Sequence, residues 1–276
     1  MAINLDYSLA GPWDSSRIPL LCLHGHPGSK ACMQVFTQSL AQSWPTLTPD
    51  LRGYGQSQVR RPFPMSQHLL DLDQLLRDRQ IDECVVLGWS LGGILSLELA
   101  LAQPQRVKGM ILIASAADPR SSHPPITWQD NVLTAIASLL NRWKPGWPWN
   151  IRQFGQRSLY RYLVQTHRPQ TYRYLARDAW PAFFRTSKFA HRSLQEALRQ
   201  GYNREAQLAS IPCPVLVLAG EGDRHITARS SYRTACELPR STWICYPHCA
   251  HLFPWEYPEE INAAIHQWLS QHFDSF

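Results

Sequence analysis

Ser90 is the residue at which the chemistry of this chain starts. It stands in Gly88-Trp89-Ser90-Leu91-Gly92-Gly93, after the apolar run Val85-Val86-Leu87 and before Ile94 to Gln103, a good helix former. Strand, sharp turn and helix with a serine at the apex is an arrangement that presents a nucleophilic hydroxyl. Such a turn strains the serine backbone, and the residues two before and two after it must be small for strand and helix to approach. Gly88 and Gly92 meet that demand. A serine hydroxyl is a poor nucleophile at neutral pH, so the turn calls for a base within hydrogen-bond reach and a group to orient that base. A serine in an ordinary strand-to-helix turn is the plainer alternative.

The elements that would position such groups alternate along the chain. Ile3 to Ser8 reads as an edge strand before a Gly11-Pro12 turn, and Pro19 to Leu23 as a buried strand ending in His24-Gly25-His26-Pro27-Gly28. A helix is expected over Ala31 to Gln42, with Met33, Phe36, Leu40 and Ala41 on one face, then a strand over Thr46 to Leu51. Ser66 is placed to cap a helix carrying Leu69, Leu72, Leu75 and Leu76. Val107 to Ser115 and Val215 to Ala219 are further strands, the second ending in Gly220-Glu221-Gly222-Asp223. After the helix Ala228 to Glu237 comes the strand Thr242 to Tyr246, then Pro247-His248-Cys249-Ala250-His251 and a closing amphipathic helix, Pro258 to His272. Strands alternating with helices predict an α/β fold, a mostly parallel, doubly wound sheet covered on both faces.

One stretch breaks the alternation. Asp118 to Ala206 has no strand-like run, holds Trp128, Trp143, Trp147, Trp149 and Trp180, and shows helical spacings such as Leu159, Tyr162 and Leu163. We expect a core of residues 1–117 and 207–276 and a helical cap, or lid, of residues 118–206. Its place after the strand that follows the serine helix puts it at the carboxyl ends of the strands, where ligands bind in such folds.

The cap also carries the basic excess. It has 14 Lys+Arg against 5 Asp+Glu, a balance of +9, while the rest of the chain has 13 against 16. At 44% apolar and 17% charged residues the chain is globular, and no apolar run reaches the length of a membrane span. Met1 to Asp6 offers neither a basic region nor a continuous apolar stretch, so no signal peptide is expected. The seven cysteines are odd in number and lack metal-ligand spacing, which reads as reduced thiols in a cytoplasmic protein with no metal and no cofactor. Cys249, two residues before His251, reads as a small loop residue.

Ser90, Asp223 and His251 each follow a strand run. Together with His24-Gly25-x-Pro27-Gly28 and Asp50-x-Arg52-Gly53-x-Gly55-x-Ser57, they make the chain resemble the α/β-hydrolase superfamily over nearly its whole length. The resemblance implies a triad in the order nucleophile Ser90, acid Asp223, base His251, and an oxyanion hole from the backbone N–H groups of His26 and Leu91. Trp89 and the His26 side chain are the substrate-pocket candidates. Asp118 is the rival to Asp223, since some members place the acid after that earlier strand; Glu221 is not expected to be the acid. His24 reads as a packing residue, Asp50, Arg52 and Ser57 as a turn holding itself together, and His225 and His248 as solvated loop histidines. A serine nucleophile excludes the relatives that use aspartate, the epoxide hydrolases and haloalkane dehalogenases. The run Leu87 to Leu97 is most similar to carboxylesterases of the pimeloyl-carrier-protein methyl ester type.

The expected function is therefore cleavage of a carboxylic ester or thioester through an acyl-enzyme. A non-catalytic receptor or scaffold on the same fold and an amide or lactone hydrolase are the alternatives. The composition of the cap points to a small-molecule substrate with an apolar acyl portion and an anionic group, or to an acidic carrier protein or anionic surface docking there. The plainer expectation is a solvated basic face with its tryptophans packed on the core. Arg157, Tyr160, Arg161 and Tyr162 interleave aromatic and basic residues, but no binding motif accompanies them and no nucleic-acid partner is expected.

Overall fold

Seven strands build one sheet in the order β1-β3-β2-β4-β5-β6-β7 in the computed structural model, which describes residues 2–14, 16–122 and 124–274; Met1 lies outside them. The strands are β1 (Tyr7–Ala10), β2 (Leu20–Leu23), β3 (Thr46–Pro49), β4 (Cys84–Trp89), β5 (Val107–Ile113), β6 (Val215–Gly220) and β7 (Ser241–Tyr246). Only β1 runs antiparallel to its neighbour. The central strands read as unbroken apolar runs because alternate residues enter two different cores. Leu21, Leu23, Val86, Leu112 and Val217 face one core, and Leu20, Cys22, Val85, Leu87, Ile111 and Leu218 face the other.

Helices α1 (Gln34–Leu40), α2 (Gln67–Asp78) and α3 (Leu91–Ala102) follow β2, β3 and β4. Leu72, Leu76, Leu95 and Leu99 of α2 and α3 fill the first core, while Phe36 and Leu40 of α1 lie in the second. Between β5 and β6 come α4 (Trp128–Trp143), α5 (Pro148–Gln153), α6 (Tyr160–Leu163), α7 (Pro169–Tyr174), α8 (Trp180–Phe184) and α9 (Lys188–Arg199), with no strand among the described residues. The chain closes with α10 (Ala228–Glu237), α11 (Phe253–Glu256) and α12 (Pro258–Phe273). The doubly wound α/β expectation holds.

Three local expectations change. The first strand starts at Tyr7 rather than Ile3, because the Ile3 N–H donates to Asp71 Oδ1, 2.8 Å away, instead of to a strand. The helix expected over Ala31 to Gln42 is a 3-10 turn, Lys30–Met33, running into the shorter α1. Ser66 does not cap α2: its backbone is already helical (φ −58°, ψ −20°), whereas a cap needs extended backbone to aim its hydroxyl at the first turn.

Candidate active site

The turn between β4 and α3 has the geometry its glycines demand. Ser90 sits at φ 55° and ψ −112°, a left-handed conformation that costs a residue with a Cβ on the order of 1–3 kcal/mol. The surroundings hold it there: its N–H donates to Ile113 O at 2.8 Å, and its carbonyl accepts from Gly93 N–H and the Ser115 hydroxyl, each at 3.0 Å. A Cβ on Gly88 would run into the backbone of Gly92, and one on Gly92 into the Leu23 carbonyl, so strand and helix meet only because both positions lack side chains.

His251, in the loop after β7, spans the gap between serine and aspartate. Its Nε2 lies 3.2 Å from Ser90 Oγ and its Nδ1 2.8 Å from Asp223 Oδ2. A carboxylate only accepts, so Nδ1 carries the proton and Nε2 presents its lone pair to the serine hydroxyl. The other oxygen of Asp223 accepts from the N–H groups of His225 at 2.7 Å and Ile226 at 3.0 Å, which fixes the carboxylate at the end of β6. Asp118 is engaged elsewhere, its Oδ2 accepting from Arg120 Nε at 2.8 Å. The structure thus brings Asp223, and not Asp118, to the imidazole.

The loop after β2 passes against the serine. A Cβ on Gly25 would stand 3.2 Å from Ser90 Cβ. Among the described residues neither the His26 nor the Leu91 N–H donates to another protein group, so both remain available as donors. The His26 side chain turns away to hydrogen-bond Tyr54 OH at 2.8 Å and His191 Nδ1, on α9, at 3.0 Å. Burial, and then the nearby imidazoles of His191 and His24, push it down to about 4, so it is neutral near pH 7. Trp89 is 4% exposed and packs edge-on against Phe36 and Trp255, so it forms the floor behind the serine rather than an open wall.

The structure gives the supporting residues specific work. His24 is fully buried, its Nδ1 donating to Gly25 O at 2.8 Å and its Nε2 accepting the Leu51 N–H at 3.1 Å. Asp50 accepts from the N–H groups of Lys30 and Gln56, and Ser57 Oγ from that of Asp6. Arg52 pairs with Asp71 through two bonds of 2.6 and 2.7 Å. Of these bonds to Asp50, Arg52 and Ser57, only the one from Gln56 to Asp50 lies within the turn; Arg52, Ser57 and the Lys30 contact of Asp50 instead tie it to neighbouring elements, which departs from a turn holding itself together. His225 is an exposed loop histidine, as expected, but it also lays its ring against His251 at 4.7 Å between centroids and 61° between planes. His248 lies in the same loop, exposed, its carbonyl accepting from Thr166 Oγ1 at 2.7 Å.

One functional residue escaped sequence reasoning. Glu256, on α11, is buried, and its carboxylate accepts from Ala250 N–H, next to His251, and from Gln165 and Thr166 N–H in the helical segment. Burial pushes its carboxyl up from the ordinary range, while those three N–H groups and Arg168 favour the charged form. It ties the histidine loop to the segment between β5 and β6. Further ties run from Leu252 N–H to Leu163 O, from Ser187 N–H to Gly53 O, and from Arg204 to Glu98. Cys249 is buried, its Sγ 3.2 Å from Tyr246 O, and burial holds it far from thiolate character. Among the described residues no three His, Cys, Asp or Glu side chains gather into a metal site.

Comparison with known proteins agrees with this architecture. Residues 18–258 match the family described as alpha/beta hydrolase fold. The chain is 26% identical over 250 residues to the pimeloyl-[acyl-carrier protein] methyl ester esterase of Nitrosomonas europaea, covering 89% of this chain and 93% of that one. It is equally 26% identical to a proline iminopeptidase of Levilactobacillus brevis, covering 96% and 93%. Among solved structures, a thermophilic esterase from Thermogutta terrifontis superposes with a TM-score of 0.70 at 24% identity, covering 97% of this chain and 94% of that one.

Proposed function

This chain belongs to the alpha/beta hydrolase fold family, and from that premise we propose that it is a serine hydrolase of carboxylic esters or thioesters. The observation that carries the reading is His251 standing 3.2 Å from Ser90 Oγ and 2.8 Å from Asp223. His251 Nε2 takes the serine proton as Oγ attacks the acyl carbonyl, and Asp223 steadies the resulting imidazolium. The carbonyl oxygen, now negative, is met by the N–H groups of His26 and Leu91. Collapse returns the proton from His251 to the leaving alcohol or thiol, and water attacks the acyl-serine by the same route. These steps draw on side chains, backbone and water alone.

We read residues 118–206 as a lid over a small-molecule substrate with an apolar acyl portion and an anionic group, hydrolysed in the cytoplasm. Support comes from the bonds that Glu256, His26 and Leu252 make to the segment at the rim of the site. The relatives named above include an ester hydrolase and a peptidase, so an amide or lactone substrate is the second reading. The test is labelling with a fluorophosphonate followed by a panel of acyl esters, thioesters, lactones and prolyl amides. Label on Ser90 with ester turnover supports the proposal. Absence of both label and turnover overturns it in favour of a binding protein.

A further inference from the structure

Helix α4 is built inside out. Three of its polar residues, Asp130, Ser138 and Asn141, turn inward, while Gln129, Asn131 and Arg142 stay exposed. Asp130 caps the helix with Thr127 and pairs with Arg161, Ser138 bonds Tyr160 OH at 2.6 Å, and Asn141 bonds Tyr172 O at 2.6 Å and Gly146 N–H at 2.9 Å. Five of its apolar residues turn outward, while Ala137 is buried and Leu133 and Leu140 are half-buried: Trp128 is 73% exposed, Leu139 64% and Trp143 76%, with Val132 and Ile136 between them. Intervals of four, four, three and four residues set these five on one stripe along the whole helix. A water-facing helix normally shows the reverse pattern, and an apolar surface this continuous marks something that covers it. The stripe runs on through Trp143, Trp147 and Trp149, whose rings lie 6.2 and 4.9 Å apart in sequence.

The charge around the stripe says what the cover is. Every carboxylate from Asp118 to Glu205 is paired with an arginine. Arg142, Lys144, Arg152 and Arg173 have no carboxylate partner among the described residues. At the carboxyl end of α4, Arg142 joins Arg173 and Arg177 around a depression of about 540 Å³ floored by Pro145, Tyr174 and Ala176. A second copy docked on this face would set those cations against their own counterparts. An anionic headgroup layer over acyl chains matches both features, receiving tryptophan and leucine below the headgroups and arginine among them.

We propose that the outward face of α4, from Trp128 to Trp143, docks on a lipid surface carrying anionic headgroups. The proposal rests on the reading of residues 118–206 as the part that meets the substrate. It places that substrate's source at the membrane surface, so the acyl group enters from the lipid side. No helix of the described residues is long and apolar enough to cross a membrane, and docking of this kind requires none.

The test is flotation of the full chain with phosphatidylcholine vesicles, with and without phosphatidylglycerol, at low and high salt. The Ser90→Ala protein is run alongside, because binding needs no catalysis. Expected is at least tenfold more protein floating with anionic than with zwitterionic vesicles. Leu139→Asp and the pair Arg142→Glu, Arg173→Glu should each lose at least tenfold of that binding, while hydrolysis of a short soluble ester stays within twofold of wild type. Equal recovery with and without anionic vesicles overturns the proposal, as does a Leu139→Asp variant that binds like wild type. Two other results reassign the face and also overturn it. They are a concentration-dependent dimer in sedimentation that Leu139→Asp abolishes, and retention of a purified acidic carrier protein without vesicle binding. Loss of all ester turnover with vesicle binding intact would strike the hydrolase reading and leave the docking surface standing.

Discussion

Asp223 gives one carboxylate oxygen to His251 and the other to the N–H groups of His225 and Ile226, so the residue that orients the imidazole is itself held at both oxygens. Asp223→Asn keeps the shape but places an amide where a carboxylate accepted the Nδ1 proton, favouring the wrong tautomer. A loss on the order of 10⁴ in kcat is expected, and Asp118→Asn should stay within a few-fold of wild type. Steady-state kinetics of the two variants on one p-nitrophenyl ester decides it; a reversed order would move the acid to Asp118.

On the proposed mechanism the Ser90 hydroxyl is the group that forms the acyl-enzyme. Ser90→Ala should lower ester turnover by about 10³-fold or more with an unchanged melting temperature, since one oxygen leaves a turn still held by Ile113, Gly93 and Ser115. Wild-type turnover in this variant would end the serine mechanism.

Glu256 predicts a coupling between stability and catalysis. Glu256→Gln sets an amide NH₂ among backbone N–H groups that all donate, leaving at least one buried donor unpaired at a cost of about 1–3 kcal/mol. Because one of those donors adjoins His251, fluorophosphonate labelling of Ser90 should slow along with the loss of stability. A destabilised variant that labels at the wild-type rate would make Glu256 a fastener of the helical segment alone.

Acid should weaken the fold through its buried histidines. Burial holds His24, His26, His68 and His167 below the ordinary value, His26 and His167 at about 4 and His68 at about 3. His26, His68 and His167 are neutral when folded over most of the range, below about pH 6.5, in which the unfolded chain binds their protons. The unfolded state therefore holds more protons between about pH 6.5 and 4, and stability falls as pH drops through that window. His68, at 2% exposure, contributes a slope of up to about 1.4 kcal/mol per pH unit. Urea midpoints at pH 7, 6 and 5 should decline in the wild type and decline less in His68→Phe; parallel slopes would exclude His68 as a source.

The site was legible where chemistry constrains neighbours in the sequence. Ser90 announces itself because the turn needs Gly88 and Gly92, and Asp223 and His251 because each ends a strand run. Glu256 was silent: it looks like an ordinary acid near a helix start, and the N–H groups that define its role sit at residues 165 and 166. His225 read as one loop histidine among others, since only the fold brings its ring to His251. For α4 the direction of its apolar stripe was not legible at all. A helical stripe looks the same whether it faces the core or the water, and the polar anchors Ser138 and Asn141 find partners in Tyr160 and Tyr172, which sequence alone does not bring near. Ser66 shows the opposite failure, the right residue type at a helix start with a backbone that cannot use it.

The helical segment leaves the carboxyl end of β5 and returns to the amino end of β6, its hydrogen-bonded neighbour in the sheet. No strand pairing depends on anything between them, and of Ser90, His251 and Asp223 none lies within it. Inheritance can therefore treat residues 118–206 as an exchangeable cassette. On the reading of this segment as a lid, replacement there would change which molecules are admitted while the strands and the serine turn descend unaltered, provided the newcomer supplies N–H groups for Glu256, a partner for His26 and the apolar cover that Ile151, Tyr172, Leu175 and Ala190 give the two cores.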